Sequence, residues 1–313
     1  MTILFFQTVH SKDDDRVRFH QQVSLKSAGH HCLFASSVSE VREQPNVVIC
    51  DTPLAIWCVR RLFGRRVKVV YDVTEWYPSK KNLRNIPWWA KPLKWCTLVI
   101  ANYQASWSTD AFIFGEFHKG QPLRILFPWK RHVTVPYYPS LNYIRPMAPQ
   151  SDNTIRLLYA GPKTAEKGYF RVCELSHLCE NKLPDRKVIL TTINGVSFDT
   201  FCKEITHYDF FLDLRDDDWE NSHCLPIKLF YYLAAGRPVI YSDLRAIRHG
   251  VPEIANDSLV NPACLDKAAE MICRLISQPD QYKEICKRNR LLAEKKYNWG
   301  CIHDIFIHFI EDL

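Results

Sequence analysis

The most constraining feature of this chain is a recurring kind of segment, four to six residues long, almost all apolar and without alternation. "ILFF" (3–6), "VVIC" (47–50), "VKVVYD" (67–72), "IRLLYA" (155–160), "KVILTT" (187–192) and "FFLDL" (210–214) are of this type. A strand with one face in water alternates with period two, whereas a strand covered on both faces does not. These runs therefore predict parallel sheets with helices on either side. "HCLFA" (31–35) and "TLVIAN" (97–102) read as further strands, and helices are expected over 16–28, stopped by Gly29, and over 53–63. A proline-rich polar stretch at 136–152 interrupts the rhythm. It restarts with the strand at 155–160, a helix over 165–179 and the strands at 187–192 and 210–214, and the end from 265 is mostly helical. With 313 residues, the chain suits two domains of about 150 each. The expected architecture is α/β: two doubly wound domains, 1–150 and 151–313, facing a central cleft, with the last helix packing back on the first domain. Ligands of such sheets bind beyond the carboxyl ends of the strands.

Composition narrows the class. Hydrophobic residues make up 47% and charged residues 24%, the balance of a soluble globular protein. The opening residues lack the profile of a secretory leader, and the apolar region 95–109 is broken by Asn102, Gln104 and Ser106. Twelve cysteines are scattered without a CxxC pair, which predicts free thiols in a reducing, cytoplasmic setting. A net charge of +7 suits an anionic membrane surface, an acidic substrate or nucleic acid, and does not choose among them.

The stretch "LPIKLFYYLAAGRPVIYSD" (225–243) carries an electrostatic oddity. Pro226 fits the first helical position, Leu225, Leu229 and Leu233 recur at helical spacing, and Gly236 is a C-terminal stop. Lys228 then lies in a first turn, where the helix dipole disfavours a cation by about 0.3–1 kcal/mol. "YAGPKTAEKGYF" (159–170) repeats the arrangement, with Gly161 allowing a tight turn and Lys163 and Lys167 in the loop and first helical turns. A helix start attracts anions, so lysines there make sense around a bound diphosphate. The plainer alternative is a surface lysine whose stem carries its charge into water.

These strings resemble the GT-B glycosyltransferases, especially glycosyltransferase family 4. "LPIKLFYYLAAGRPVIYSD" is similar to the family's donor-binding signature and "LLYAGPKTAEKG" to its glycine…lysine-glycine segment. "DDDRVRFHQQVSLKSAGHHCLFAS", "VVYDVTEWYP" and "NWGCIHDIFIHFIEDL" resemble its first helix and second strand, its central N-domain segment and its closing helix. The resemblance implies two Rossmann-like domains, with a nucleotide-diphospho-sugar held mainly by the C-terminal one and a glycan or lipid-linked acceptor by the other. It implies hexosyl transfer with retention, no essential metal ion and no cofactor beyond the donor. Lys167 matches the family's phosphate-binding lysine, and Lys163 stands close enough to assist. Lys228 joins them at the diphosphate, with Gly161, His223 and Tyr231 around the nucleotide or sugar. Arg16 and Glu75 would form the N-domain wall. A cell-surface glycan such as lipopolysaccharide, O-antigen or capsule is the expected product.

Two departures from the family matter. Tyr231 stands where a glutamate usually binds the ribose hydroxyls, and His223 replaces the partner glutamate eight residues earlier. Thr74-Glu75 replaces a common histidine-glutamate pair. A tyrosine cannot hold two hydroxyls as a carboxylate does. These departures keep a rival reading open, a non-catalytic GT-B domain that binds a glycan or a partner.

Other motifs carry less. The acidic runs 13–15 and 216–218 are better read as helix caps and solvated loop than as a metal site. The histidines lack zinc spacing. Residues 80–95, "KKNLRNIPWWAKPLKW", combine five cations with three tryptophans, Trp88, Trp89 and Trp95. That mixture suits peripheral contact with the inner face of a plasma membrane, or a basic loop whose tryptophans cover the domain's own core. Nucleic acid is the weakest of the three readings.

Overall fold

In the computed structural model, residues 1–7, 16–73, 80–146 and 153–313 are described, with only the backbone of residues 16, 17, 80, 81 and 117–119. Along the first part of the chain run β1 (Thr2–Phe6), α1 (Arg16–Ser27), β2 (His31–Ala35), β3 (Val47–Cys50), α2 (Pro53–Phe63), β4 (Lys68–Val73) and α3 (Lys80–Leu83). After them come α4 (Lys91–Trp107), β5 (Ala111–Phe114), α5 (Phe117–Leu126) and β6 (Arg131–Thr134). The second part carries β7 (Thr154–Ala160), α6 (Tyr169–Lys182), β8 (Lys187–Ile193), α7 (Phe198–Glu204), β9 (Phe210–Asp213), α8 (Trp219–Ser222), α9 (Ile227–Ala235) and β10 (Val239–Ser242). It continues through α10 (Arg245–Gly250), α11 (Ala255–Ser258), β11 (Leu259–Val260), α12 (Leu265–Ser277) and α13 (Pro279–Lys295) to α14 (His303–Glu311).

Two compact units result: Met1–Tyr137 with Ile302–Leu313, and Tyr138–Cys301. The first holds a sheet ordered β2-β1-β3-β4-β5-β6 and the second a sheet ordered β11-β10-β9-β7-β8. Every neighbouring pair is parallel. Each sheet is doubly wound, and β3, β5, β9 and β10 are buried at every residue, as their unbroken apolar runs require. In the second unit, Leu265, Ala268, Ala269, Ile272 and Leu275 form one buried stripe of α12, the spacing that lets a helix cover a core. In the first unit, His30 Nε2 lies 3.0 Å from Glu311 Oε1 beside the last helix.

Four sequence expectations need correction. Residues 97–102 are not a strand but the middle of α4, and the two sheet positions beyond β4 fall to β5 and β6. Pro92 opens that helix, and Asn102, Ala105 and Ser106 make its buried face, with Tyr71 donating to Asn102 Oδ1 at 3.1 Å. Packing against α2 overrides the weak strand preference of Thr97, Val99 and Ile100. The helix expected over 165–179 begins at Tyr169, because Gly168 is left-handed at φ +76° and stops helix propagation there. Lys163 and Lys167 therefore precede the helix rather than riding on its first turn. Pro226 is the N-cap of α9, extended at ψ 121°, one residue before the helix begins.

All twelve cysteines are free thiols. Asp218 caps α8 by accepting from the Asn221 amide at 2.9 Å, and Asp216 pairs with Arg171 at 2.6 Å. The run 13–15 lies outside the described residues.

Candidate functional site

In the second unit, β7, β9 and β10 end side by side at Ala160, Asp213 and Ser242. β7 leads into the loop 161–168, β9 into 214–218, and α9 starts nearby. The loop after β7 is tied to its own strand. The Tyr159 hydroxyl is shared between the carbonyls of Pro162, at 2.9 Å, and Lys167, at 3.1 Å, so one phenol holds both ends. Burial pushes the Tyr159 phenol well up, keeping it a donor. A β-carbon on Gly161 would meet the Tyr159 hydroxyl at 3.0 Å and Lys228 Nζ at 3.4 Å. Glycine there lets backbone, phenol and ammonium converge.

Lys228 answers the oddity read from the sequence. Its Nζ donates to the carbonyl of Ala160, the last residue of β7. A cation in the first turn of α9 is thus compensated by a strand-end carbonyl. Lys163 Nζ stands 5.6 Å from the ring centroid of Tyr169, a cation–π distance. Lys167 Nζ is 3.3 Å from Glu166 and half exposed, a pairing worth little to stability.

The structure brings Gly161 and Lys228 into contact and sets Lys163 and Lys167 on the loop that begins at Gly161. The other expected residues are described by contacts of their own. His223 donates from Nδ1 to the Trp219 carbonyl at 2.7 Å, with its ring 4.8 Å from that indole. Tyr231 is 1% exposed and packs edge-on to Phe201 and Phe198 at 5.7 and 6.4 Å. Lys228 and Tyr232, four residues apart on α9, share the helix face that Tyr231 turns away from. Glu75 lies outside the described residues, and of Arg16 only the backbone at the start of α1 is described.

Several residues at these strand ends were not legible as site residues in the sequence. Arg215 Nε donates to Asp213 Oδ1 at 2.7 Å, and a second guanidinium nitrogen reaches Oδ2. Burial works against the Arg215 charge, but the Asp213 carboxylate outweighs it and the guanidinium stays protonated. Tyr232 and Tyr241 are fully buried near this pair, with rings 6.3 Å apart, and burial raises both phenols. In the first unit, Asp72 near the end of β4 is buried with Arg18 of α1 and accepts from Gln21 Nε2 at 3.0 Å. One signal was available: an acid closing an apolar strand must find a partner when buried. The partner's identity was not available.

The second unit therefore offers backbone N–H groups at the starts of α6 and α9, lysines around the first strand's turn, and a guanidinium at the next strand end. Groups of these kinds are chemically suited to an anion.

No protein-family model and no curated protein matches the sequence. Solved structures do. Sucrose-phosphate synthase from Thermosynechococcus elongatus superposes with a TM-score of 0.67 at 12% identity, covering 100% of this chain and 99% of that one. Anabaena HepE in complex with UDP-glucose gives 0.65 at 12% identity, with 100% of both chains covered. A UDP-forming trehalose-phosphate synthase from Burkholderia xenovorans gives 0.59 at 12%, covering 94% of this chain and 78% of that one. Paired with two parallel Rossmann-like sheets, this likeness shows that the chain has the GT-B fold.

Proposed function

We propose that this chain is a glycosyltransferase that takes a nucleotide-diphospho-sugar at the strand ends of its second unit and transfers the sugar to a cell-surface glycan or lipid-linked acceptor. The observation that carries the reading is the meeting of Lys228 with Gly161 where β7 ends, beside the loop bearing Lys163 and Lys167. In the reaction the acceptor oxygen bonds to the sugar carbon, the bond from that carbon to the diphosphate oxygen breaks, and the acceptor hydroxyl's proton passes to the departing diphosphate. Negative charge grows on the diphosphate, and fixed cations favour that state over the ground state. Lys167 and Lys163 are assigned to the phosphates and Lys228 to the turn that seats them. The cations take the place a metal ion would fill, and retention at the sugar carbon is part of the reading. HepE, solved with UDP-glucose and with UDP, supports a uridine donor as the first to try. The free thiols fit a reducing, cytoplasmic setting.

A second reading rests on Tyr231. An aromatic ring packed against Phe198 and Phe201 offers no carboxylate to a ribose, which favours a non-catalytic GT-B module that binds a glycan or a partner.

The test is a panel of UDP, GDP, CDP, ADP and dTDP with the melting temperature as readout. A ligand at about 100 times its dissociation constant adds roughly 2.7 kcal/mol of stability. One nucleotide standing out supports a donor site, and no shift with any of them favours the non-catalytic module.

A further inference from the structure

Beyond this reading, and independent of it, the first unit carries an unusual surface. α4 is 17 residues long, about 26 Å at 1.5 Å per residue. Its buried face carries Asn102, Ala105 and Ser106, and the opposite face exposes Leu93, Ile100, Tyr103 and Trp107. The stripe continues beyond the helix, since Trp107 stands 6.4 Å from Tyr103 and 6.1 Å from Trp129, which is 65% exposed. At the other end the turn before α4 presents Trp88 and Trp89, 82% and 70% exposed, and the first turn of the helix presents Leu93 at 75%. These tryptophans do not cover the domain's core.

Along the sequence, the segment that carries the stripe is charged almost wholly in one sense, and its Arg131 pairs with Asp312. Residues 80–134 hold nine Lys and Arg against two acids, Asp110 and Glu116. Asp110 is engaged by Arg60 and the Val69 amide, each at 2.7 Å, and Glu116 is buried. Arg84, Lys91 and Lys94, close to the tryptophans in sequence, are exposed. The platform is firmly held. Lys130 donates to the Ser106, Trp107 and Thr109 carbonyls at 2.5–2.7 Å, and Arg60 reaches the Ser108 carbonyl at 2.7 Å.

We propose that the outer face of α4, with the Trp88-Trp89 turn, docks on an anionic lipid bilayer. Among the described residues no helix is long and apolar enough to cross a membrane, so α4 would lie on the surface. Its apolar stripe meets the acyl boundary, the indoles sit at headgroup depth, and the cations meet lipid phosphates. A second copy of this chain would present the same cations to themselves, which opposes self-association through this face. Nucleic acid would leave the Leu93–Ile100 side of the stripe without an apolar partner.

The experiment sediments the full chain with vesicles of phosphatidylcholine alone and of phosphatidylcholine mixed with phosphatidylglycerol, following tryptophan fluorescence. Binding to the anionic vesicles with a blue shift, weakened by salt, is expected. Trp88→Ala/Trp89→Ala should lower binding about tenfold, and Lys91→Glu/Lys94→Glu by roughly fivefold or more for each charge changed. All four side chains are exposed, so both variants should keep the wild-type melting temperature. No binding to anionic vesicles, or equal binding by both variants and wild type, overturns the proposal. So does a dimer in solution that the tryptophan substitutions dissolve, or binding to an oligonucleotide in place of vesicles. The nucleotide melting shift is measured on the same variants, and its survival when lipid binding is lost keeps this proposal separate from the reaction.

Discussion

Gly168 and Leu214 meet backbone to backbone across 46 residues of sequence. A β-carbon on Gly168 would overlap the Leu214 carbonyl and lie 2.7 Å from the Arg215 amide nitrogen. The contact joins the lysine loop after β7 to the loop after β9, and Arg171 of α6 reinforces it by donating to the same carbonyl at 3.3 Å.

Gly168→Ala should therefore cost more than its backbone angle alone demands. Gly195 is the internal control, left-handed at φ +68° with no atom within 4 Å of an added β-carbon. Gly195→Ala should cost about 1–2 kcal/mol, and Gly168→Ala a further 1–3 kcal/mol or so from overpacking. Urea midpoints of the two variants check the difference, and equal midpoints would mean the two loops do not touch.

Lys228 and Lys167 should separate stability from function. Lys228→Met removes a charged donor from the Ala160 carbonyl and should cost about 1–3 kcal/mol, along with the nucleotide-induced melting shift. Lys167 is partly exposed and pairs with Glu166, so Lys167→Ala should change stability by less than about 0.5 kcal/mol while abolishing turnover. Near-normal turnover in that variant would remove Lys167 from the phosphate site.

Arg18 and Asp72 form a buried pair, with both side chains within 1% of full burial. Asp72→Leu or Arg18→Met alone should destabilise by about 3–5 kcal/mol, since each removes the other's charged partner in a buried place. The double variant Arg18→Met/Asp72→Leu should recover most of that loss. Chemical denaturation of the four proteins completes the cycle, and additive losses would show that the two groups are not coupled.

Alkali should unfold the protein early. Burial pushes the Cys179 thiol up to about 12 from its usual 9.0, and the Tyr297 phenol up to about 12 from 10.0. The folded chain holds these protons where the unfolded chain releases them. Their contribution is therefore complete below about pH 9 and falls as pH rises from there to about 12. Urea midpoints near pH 8 and near pH 11, with tyrosinate absorbance followed through the transition, should show midpoint loss and phenol ionisation together with unfolding. A flat profile would contradict the burial of these groups.

The sequence by itself determined the elements whose preferences are local. Unalternating apolar runs marked β1, β3, β4, β7, β8 and β9, and Pro226 and Gly236 bracketed α9 to within a residue. The reason is short range: capping, left-handed glycine and two-sided burial are written within a few residues of where they act. Tertiary structure decided the rest. Residues 97–102 have strand-like side chains and became helix because α4 packs beside α2 and buries Asn102, against the Tyr71 hydroxyl, and Ala105. α6 starts at Tyr169 because Gly168 must pass under Leu214. Tyr231 and Tyr232 are the same residue type one step apart, and a turn of about 100° on the helix sends one toward Phe201 and the other toward Phe211. Arg18 with Asp72 and Arg215 with Asp213 were ordinary charges until packing excluded water from them. Arg18 and Asp72 are 54 residues apart, and even for Arg215 and Asp213, only two apart, it is the packing of other elements around them that excludes water.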